Sequence, residues 1–173
     1  MIIMIAGSTH TGKTALSQNL IEKYHYPCMS LDHLKMGLIR SGMTNLTPED
    51  DDKMTDLLWP IVKEMIKTAI ENDQNMIIEG CYIPYDWKTY FTSEYLKDIK
   101  FVCLIMSSNY IEEHFNDIIK YASVVENRGD DDWCEKELLI RDNQISYTMC
   151  KQYGCDYIWI DDEYKVEINL EDV

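Results

Sequence analysis

Positive charge is scarce in this chain. Its 16 lysines and arginines stand against 31 acidic residues, for a net charge of −15. The arginines are Arg40, Arg128 and Arg141. With no cationic surplus to displace counterions, a nucleic acid or an anionic membrane is excluded as the expected partner. Long apolar runs are missing too. The stretch Met1–Ala6 is short and lacks a basic flank, so it reads as neither a signal peptide nor a membrane span. No C-x-x-C pair occurs among Cys28, Cys81, Cys103, Cys134, Cys150 and Cys155. The cysteines therefore read as free, mostly core thiols of a cytoplasmic protein, with no metal cage. The acidic runs Glu49–Asp52 and Asp130–Asp132 lack calcium-loop spacing and read as solvated surface. No Asn-Lys-x-Asp run is present, which argues against a signalling GTPase. Repeats, low-complexity tracts and linkers are also absent, so residues 1–173 read as a single domain.

What is present is a complete G-x-x-x-x-G-K-[ST] run from Gly7 to Thr14. A β-branched apolar stretch precedes it. An apolar helical stripe of Leu16, Leu20, Ile21 and Tyr24 follows it. That strand–loop–helix context turns the match into a mechanism. Gly7, Thr9, His10, Thr11 and Gly12 would curl their backbone around phosphate oxygens, and the helix that follows adds the positive end of its dipole. Lys13 would reach the β- and γ-phosphates of ATP, and the Thr14 hydroxyl would ligate Mg²⁺. For His10 the backbone N–H, not the imidazole, is the expected contributor.

The rest of the chain alternates strand and helix. Strands are expected at Ile2–Ala6, Tyr26–Leu31, Asn75–Gly80, Ile99–Met106 and Asp156–Ile160. Helices are expected after Lys13, around Leu34–Ile39, after a Thr47 cap with Pro48 at the first position, after an Asn109 cap, and from Trp133 to a Gly154 C-cap. Pro60 is expected to kink or divide the third of these. Trp87–Leu96 reads as partly helical, with aromatics that line either a pocket or the core. Five strands separated by helices make an α/β fold with a parallel sheet covered on both faces, and ligands then bind at the carboxyl ends of the strands.

Three chemistry-bearing groups fall at those ends. Asp32, after strand two, is a candidate base for an acceptor hydroxyl, a role compatible with its alternative reading as a helix N-cap. Glu79, before Gly80, is a candidate Mg²⁺ or acceptor ligand, or a rim acid. Lys35 and Arg40 follow Asp32 and would grip an anionic group of an acceptor, or simply decorate a helix. Arg128 and Arg141 are candidates for holding transition-state charge, or surface ion pairs with the acids around them.

These runs together resemble the P-loop small-molecule kinases, the group of nucleoside-monophosphate, shikimate and gluconate kinases. Ser30-Leu31-Asp32 and Ile77-Ile78-Glu79-Gly80 are similar to the 2-phosphoglycerate kinase and zeta-toxin-like branches. The resemblance implies a three-layer α/β/α P-loop NTPase fold with strand order 2-3-1-4-5. It also implies a short lid at about residues 122–134 bearing Arg128, and γ-phosphoryl transfer from ATP·Mg²⁺ to an alcohol or phosphate acceptor. The run Glu79–Pro84 lacks the arginine with which adenylate kinases hold a monophosphate, so the acceptor stays open. Alternatives are an adenylate-like kinase, a nucleotide-dependent switch acting on a protein partner, and a catalytically retired nucleotide-binding scaffold.

Overall fold

The computed structural model describes residues 1–121 and 134–170. Five strands form one all-parallel sheet in the order β2-β3-β1-β4-β5, with helices on both sides. They are β1 (Ile2–Gly7), β2 (Cys28–Ser30), β3 (Met76–Glu79), β4 (Ile99–Met106) and β5 (Tyr157–Ile160). The helices are α1 (Lys13–Tyr24), α2 (Leu31–Arg40), α3 (Asp51–Glu71), α4 (Ser93–Leu96), α5 (Ser108–Tyr121) and α6 (Lys136–Tyr153). The chain falls into two compact units. One comprises Met1–Ala6 and Tyr26–Phe101, the other Gly7–His25 and Val102–Val173.

In the first unit, Ile2 to Ala6 of β1 are all buried. A parallel strand covered on both faces has no polar side, and its sequence is accordingly unbroken and apolar. The registers place Ile5 opposite Glu79 and Glu79 opposite Ser30. Helix α3 buries Met54, Leu58, Val62, Ile66 and Ala69, a three-to-four-residue stripe. Pro60 lies on its exposed face and does not divide it. Asp56, whose carbonyl loses its donor, is on that same exposed side, where the unpaired oxygen is open to solvent. Of the aromatics after Gly80, Tyr82, Trp87 and Phe91 are buried, while Tyr90 is exposed. Trp87 stacks on Phe101 at 5.6 Å, and Phe91 meets Trp59 and Trp87 edge-on.

Local chemistry moved several expected boundaries. Helix α3 starts at Asp51, not at the Thr47-Pro48 pair. The Asp50 carboxylate instead accepts the Thr47 N–H at 3.0 Å and its hydroxyl at 3.1 Å, closing a turn ahead of the helix. Lys53 and Thr47 together hold Asp50 down at about 2. Strand β2 spans three residues and yields at once to α2, whose first residue is Leu31.

In the second unit, α1 turns Leu16 and Leu20 inward. Ser107, not Asn109, caps α5 by accepting the Tyr110 N–H at 2.9 Å. Helix α6 begins at Lys136; Trp133, where it was expected to begin, lies outside the described residues. It ends as expected, with Gly154 at φ 61° and its N–H bonded to the Cys150 carbonyl. All six cysteines are free: Cys103, Cys134, Cys150 and Cys155 are buried, Cys28 is partly buried and Cys81 is exposed. Among the described residues no helix is long and apolar enough to cross a membrane.

Candidate functional site

The loop from Gly7 to Thr14 turns on two left-handed residues, His10 at φ 63° and Gly12 at φ 86°. Gly12 is the residue before α1, and it tolerates no side chain. Its backbone conformation is strained for L-residues, and an added Cβ would collide with the Tyr164 hydroxyl. Helix α1 consequently starts with no side-chain cap and no acid in its first turn. Most helices place a carboxylate or hydroxyl there, because first-turn N–H groups have no acceptor within the helix. Here the position holds Lys13, which is 4% exposed. Its ammonium donates to the Ser8 carbonyl at 2.8 Å, and the Thr11 hydroxyl donates to the same oxygen, also at 2.8 Å. A buried cation at an uncapped helix start makes a site that favours an anion.

Side chains far along the sequence support this loop. The Tyr164 hydroxyl donates to the Thr11 carbonyl at 3.1 Å. Desolvation pushes that hydroxyl up to about 12, so it remains a donor throughout the physiological range. Ser146 donates to the Asp142 carbonyl at 2.9 Å, which leaves Ser8 the donor in the 3.1 Å contact between the two serine hydroxyls. The His10 imidazole is buried, with Nδ1 3.0 Å from the Thr9 hydroxyl and 3.8 Å from the Cys134 thiol. It contributes packing as well as backbone. Sequence reasoning missed Tyr164, Ser146 and Cys134, because each comes from more than 120 positions away and carries no local motif. Tyr164→Phe removes one donor and keeps the ring. It is expected to cost about 0.5–1.5 kcal/mol of stability in urea unfolding. An unchanged midpoint would mean that the Tyr164 hydroxyl does not brace the loop.

The first unit carries the strand-end acids. Asp32 is neither the last residue of β2 nor a helix cap. Ser30 takes the cap position, and Asp32 lies in the first turn of α2, where the helix dipole favours a carboxylate. Glu79, at the end of β3, is 1% exposed. Gly80 follows at a crossing too close for any side chain, since its Cβ would lie 2.7 Å from the Leu31 Cβ. The start of α2 and the end of β3 are therefore in direct contact.

Lys35 is 7% exposed and not a surface cation. It donates to the Asp51 carboxylate, to the Tyr82 hydroxyl at 2.9 Å and to the Pro48 carbonyl at 3.2 Å. Tyr82 in turn donates to Asp51 at 2.6 Å. Asp51 is exposed, as expected of the acidic run, and it is also half of a Lys35–Asp51 ion pair. The Tyr82 hydroxyl is pushed strongly upward, first by burial, then by Asp51, with Asp32 adding to the effect.

Arg40 is exposed at the end of α2. Arg141 is exposed on α6 and pairs with its neighbour Asp142 at 3.4 Å, a surface contact worth little. Arg128 and the proposed lid, apart from Cys134, lie outside the described residues. Among the described residues no three His, Cys, Asp or Glu side chains are arranged to hold a metal ion.

No family model and no curated protein matches this chain. Solved structures do. A candidate kinase from Chloroflexus aurantiacus is 18% identical, with a TM-score of 0.55 over 99% of this chain and 92% of that one. Deoxyadenosine kinase from M. mycoides with bound dATP is 16% identical, with a TM-score of 0.50 over 99% of this chain and 94% of that one. The same enzyme with dCMP and dCDP gives 0.51, again at 16% identity, over 96% and 92%. At such identities the likeness is one of fold.

Proposed function

We propose that the protein is an ATP- and Mg²⁺-dependent small-molecule kinase, built as a single domain. The observation that carries this reading is the start of α1, which follows a complete phosphate-binding sequence and has a buried lysine where other helices have a cap or an acid. Gly7, Thr9, His10, Thr11 and Gly12 bind the triphosphate. Lys13 leaves the Ser8 carbonyl for the β- and γ-phosphates and holds the charge that develops there. A buried carboxylate and a hydroxyl are hard oxygen donors, so Glu79 and Thr14 suit Mg²⁺, which takes one or two protein ligands and its remaining oxygens from phosphate and water. The ion would neutralise phosphoryl charge. Asp32 accepts the proton of the acceptor hydroxyl, and Glu79 and Gly80 border the acceptor. Arg40 lies on the same helix as Asp32, Arg141 reaches transferring charge only on a rearrangement that frees it from Asp142, and Arg128 is assigned the same role. Kinases are among the fold's neighbours, which supports phosphoryl transfer, and the setting proposed for it is cytoplasmic.

The test is a melt followed by a turnover assay. ATP with Mg²⁺ at about 100 times its Kd should stabilise the protein by about 2.7 kcal/mol. ADP release should rise above background only when a hydroxyl compound is added. ADP release that responds to a protein partner and to no small acceptor would replace the kinase reading with a switch.

A further inference from the structure

The acceptor's charge is legible in what has become of Lys35. An ammonium has three hydrogens, and all three of Lys35's are committed, to Asp51, Tyr82 and Pro48. Lys35 stands three residues after Asp32, hence on the same face of α2. It is the cation a negatively charged acceptor beside Asp32 would meet first, and Asp51 has already neutralised it. The next cation on α2 is Arg40, eight residues beyond Asp32 and about 12 Å along the helix. Lys53 is paired with Asp50 at 2.6 Å. The loop from Ser41 to Asp50 and the run Cys81–Pro84 contain no lysine or arginine.

Negative groups, in contrast, gather at this end of the unit. Asp32 lies in the first turn of α2, and Glu79 ends the adjoining strand. The charge of Asp32 reaches the Tyr82 hydroxyl and helps keep it protonated. The Ser30 hydroxyl is buried at the same strand end without a hydrogen-bond partner. Among the described residues of α2 and the loops beside it, a phosphomonoester next to Asp32 would meet that carboxylate first and, beyond the paired Lys35, no cation nearer than Arg40.

We infer that the phosphoryl acceptor is a hydroxyl compound without an anionic group, such as an uncharged nucleoside or sugar or an amine-bearing alcohol, and not a monophosphate. The inference rests on the kinase reading and narrows it. In the transfer itself, the acceptor oxygen forms a bond to the γ-phosphorus as the bond from that phosphorus to the β,γ-bridging oxygen breaks. The hydroxyl proton passes to Asp32, and ADP leaves.

Matched pairs test it. Deoxynucleosides are assayed beside their 5′-monophosphates, and hexoses beside their 6-phosphates, with ATP·Mg²⁺ at fixed ionic strength. The uncharged member of at least one pair is expected to show kcat/KM at least tenfold above its phosphorylated partner. Asp51→Asn, which releases Lys35, should shrink that ratio severalfold. Tyr82→Phe, which keeps the Lys35–Asp51 pair, should leave the ratio unchanged. A monophosphate used better than its parent alcohol overturns the inference and leaves the kinase reading standing. If ATP·Mg²⁺ raises the melting temperature but no member of any pair accepts phosphate, the kinase reading fails and the inference falls with it.

Discussion

Lys13→Ala is expected to abolish both ATP-dependent stabilisation and turnover. The side chain is almost fully buried, and its sole described bond is to the Ser8 carbonyl, so its charge is held in reserve and not used to fasten distant elements. Removing it costs the fold little, because Thr11 still donates to Ser8. The loss falls on the nucleotide. Preorganised charge aimed at a developing anion is worth about 10²–10³ in turnover when one donor is deleted. If Kd weakens hundredfold, a nucleotide concentration that stabilises the wild type by about 2.7 kcal/mol stabilises the variant by about 0.4 kcal/mol, which a melt barely detects. Lys13→Arg should not rescue it, since a planar fork cannot replace a compact ammonium in a buried slot. An alanine variant that still shifts its melt with ATP·Mg²⁺ would move the donor site away from this loop.

The parts that were legible in the sequence are those whose physics is local. An unbroken apolar strand, a glycine-rich turn and an apolar helical stripe each specify their own conformation, so β1, the Gly7–Thr14 loop and the buried face of α3 were readable in one pass. So was the left-handed Gly154 that ends α6. The parts that were not legible depend on what meets across the fold. Lys35 looked like one more basic residue on an amphipathic helix, until Asp51 and Tyr82, 16 and 47 residues later, closed on it. Tyr164 carries no motif, yet its hydroxyl braces a carbonyl 153 residues earlier. Caps were misread for a related reason. Thr47, Asn109 and Asp32 all have suitable side chains, but the helix start was set by a neighbour. Ser107 lies nearer the end of β4, Asp50 ties up Thr47, and Ser30 takes the turn ahead of Asp32. Cap preference names the candidates, and the preceding strand chooses among them.

Asp32→Asn should separate chemistry from binding. The amide matches the carboxylate in shape and loses its charge and basicity. If Asp32 takes the acceptor proton, kcat should fall by about 10²–10⁴, the usual contribution of a positioned base. The Kd for ATP, measured by titration without acceptor, should stay within about twofold, because the triphosphate is assigned to residues 7–14. A purely structural Asp32 makes a different forecast. A carboxylate in the first turn of α2 gains about 0.3–1 kcal/mol from the helix dipole, so its loss would lower the melting temperature slightly and leave kcat nearly intact. The two accounts diverge in magnitude and in observable: one moves turnover by orders of magnitude at nearly constant stability, the other moves stability alone. A variant that keeps its rate would remove Asp32 from the chemistry and leave it a residue that steadies the start of a helix.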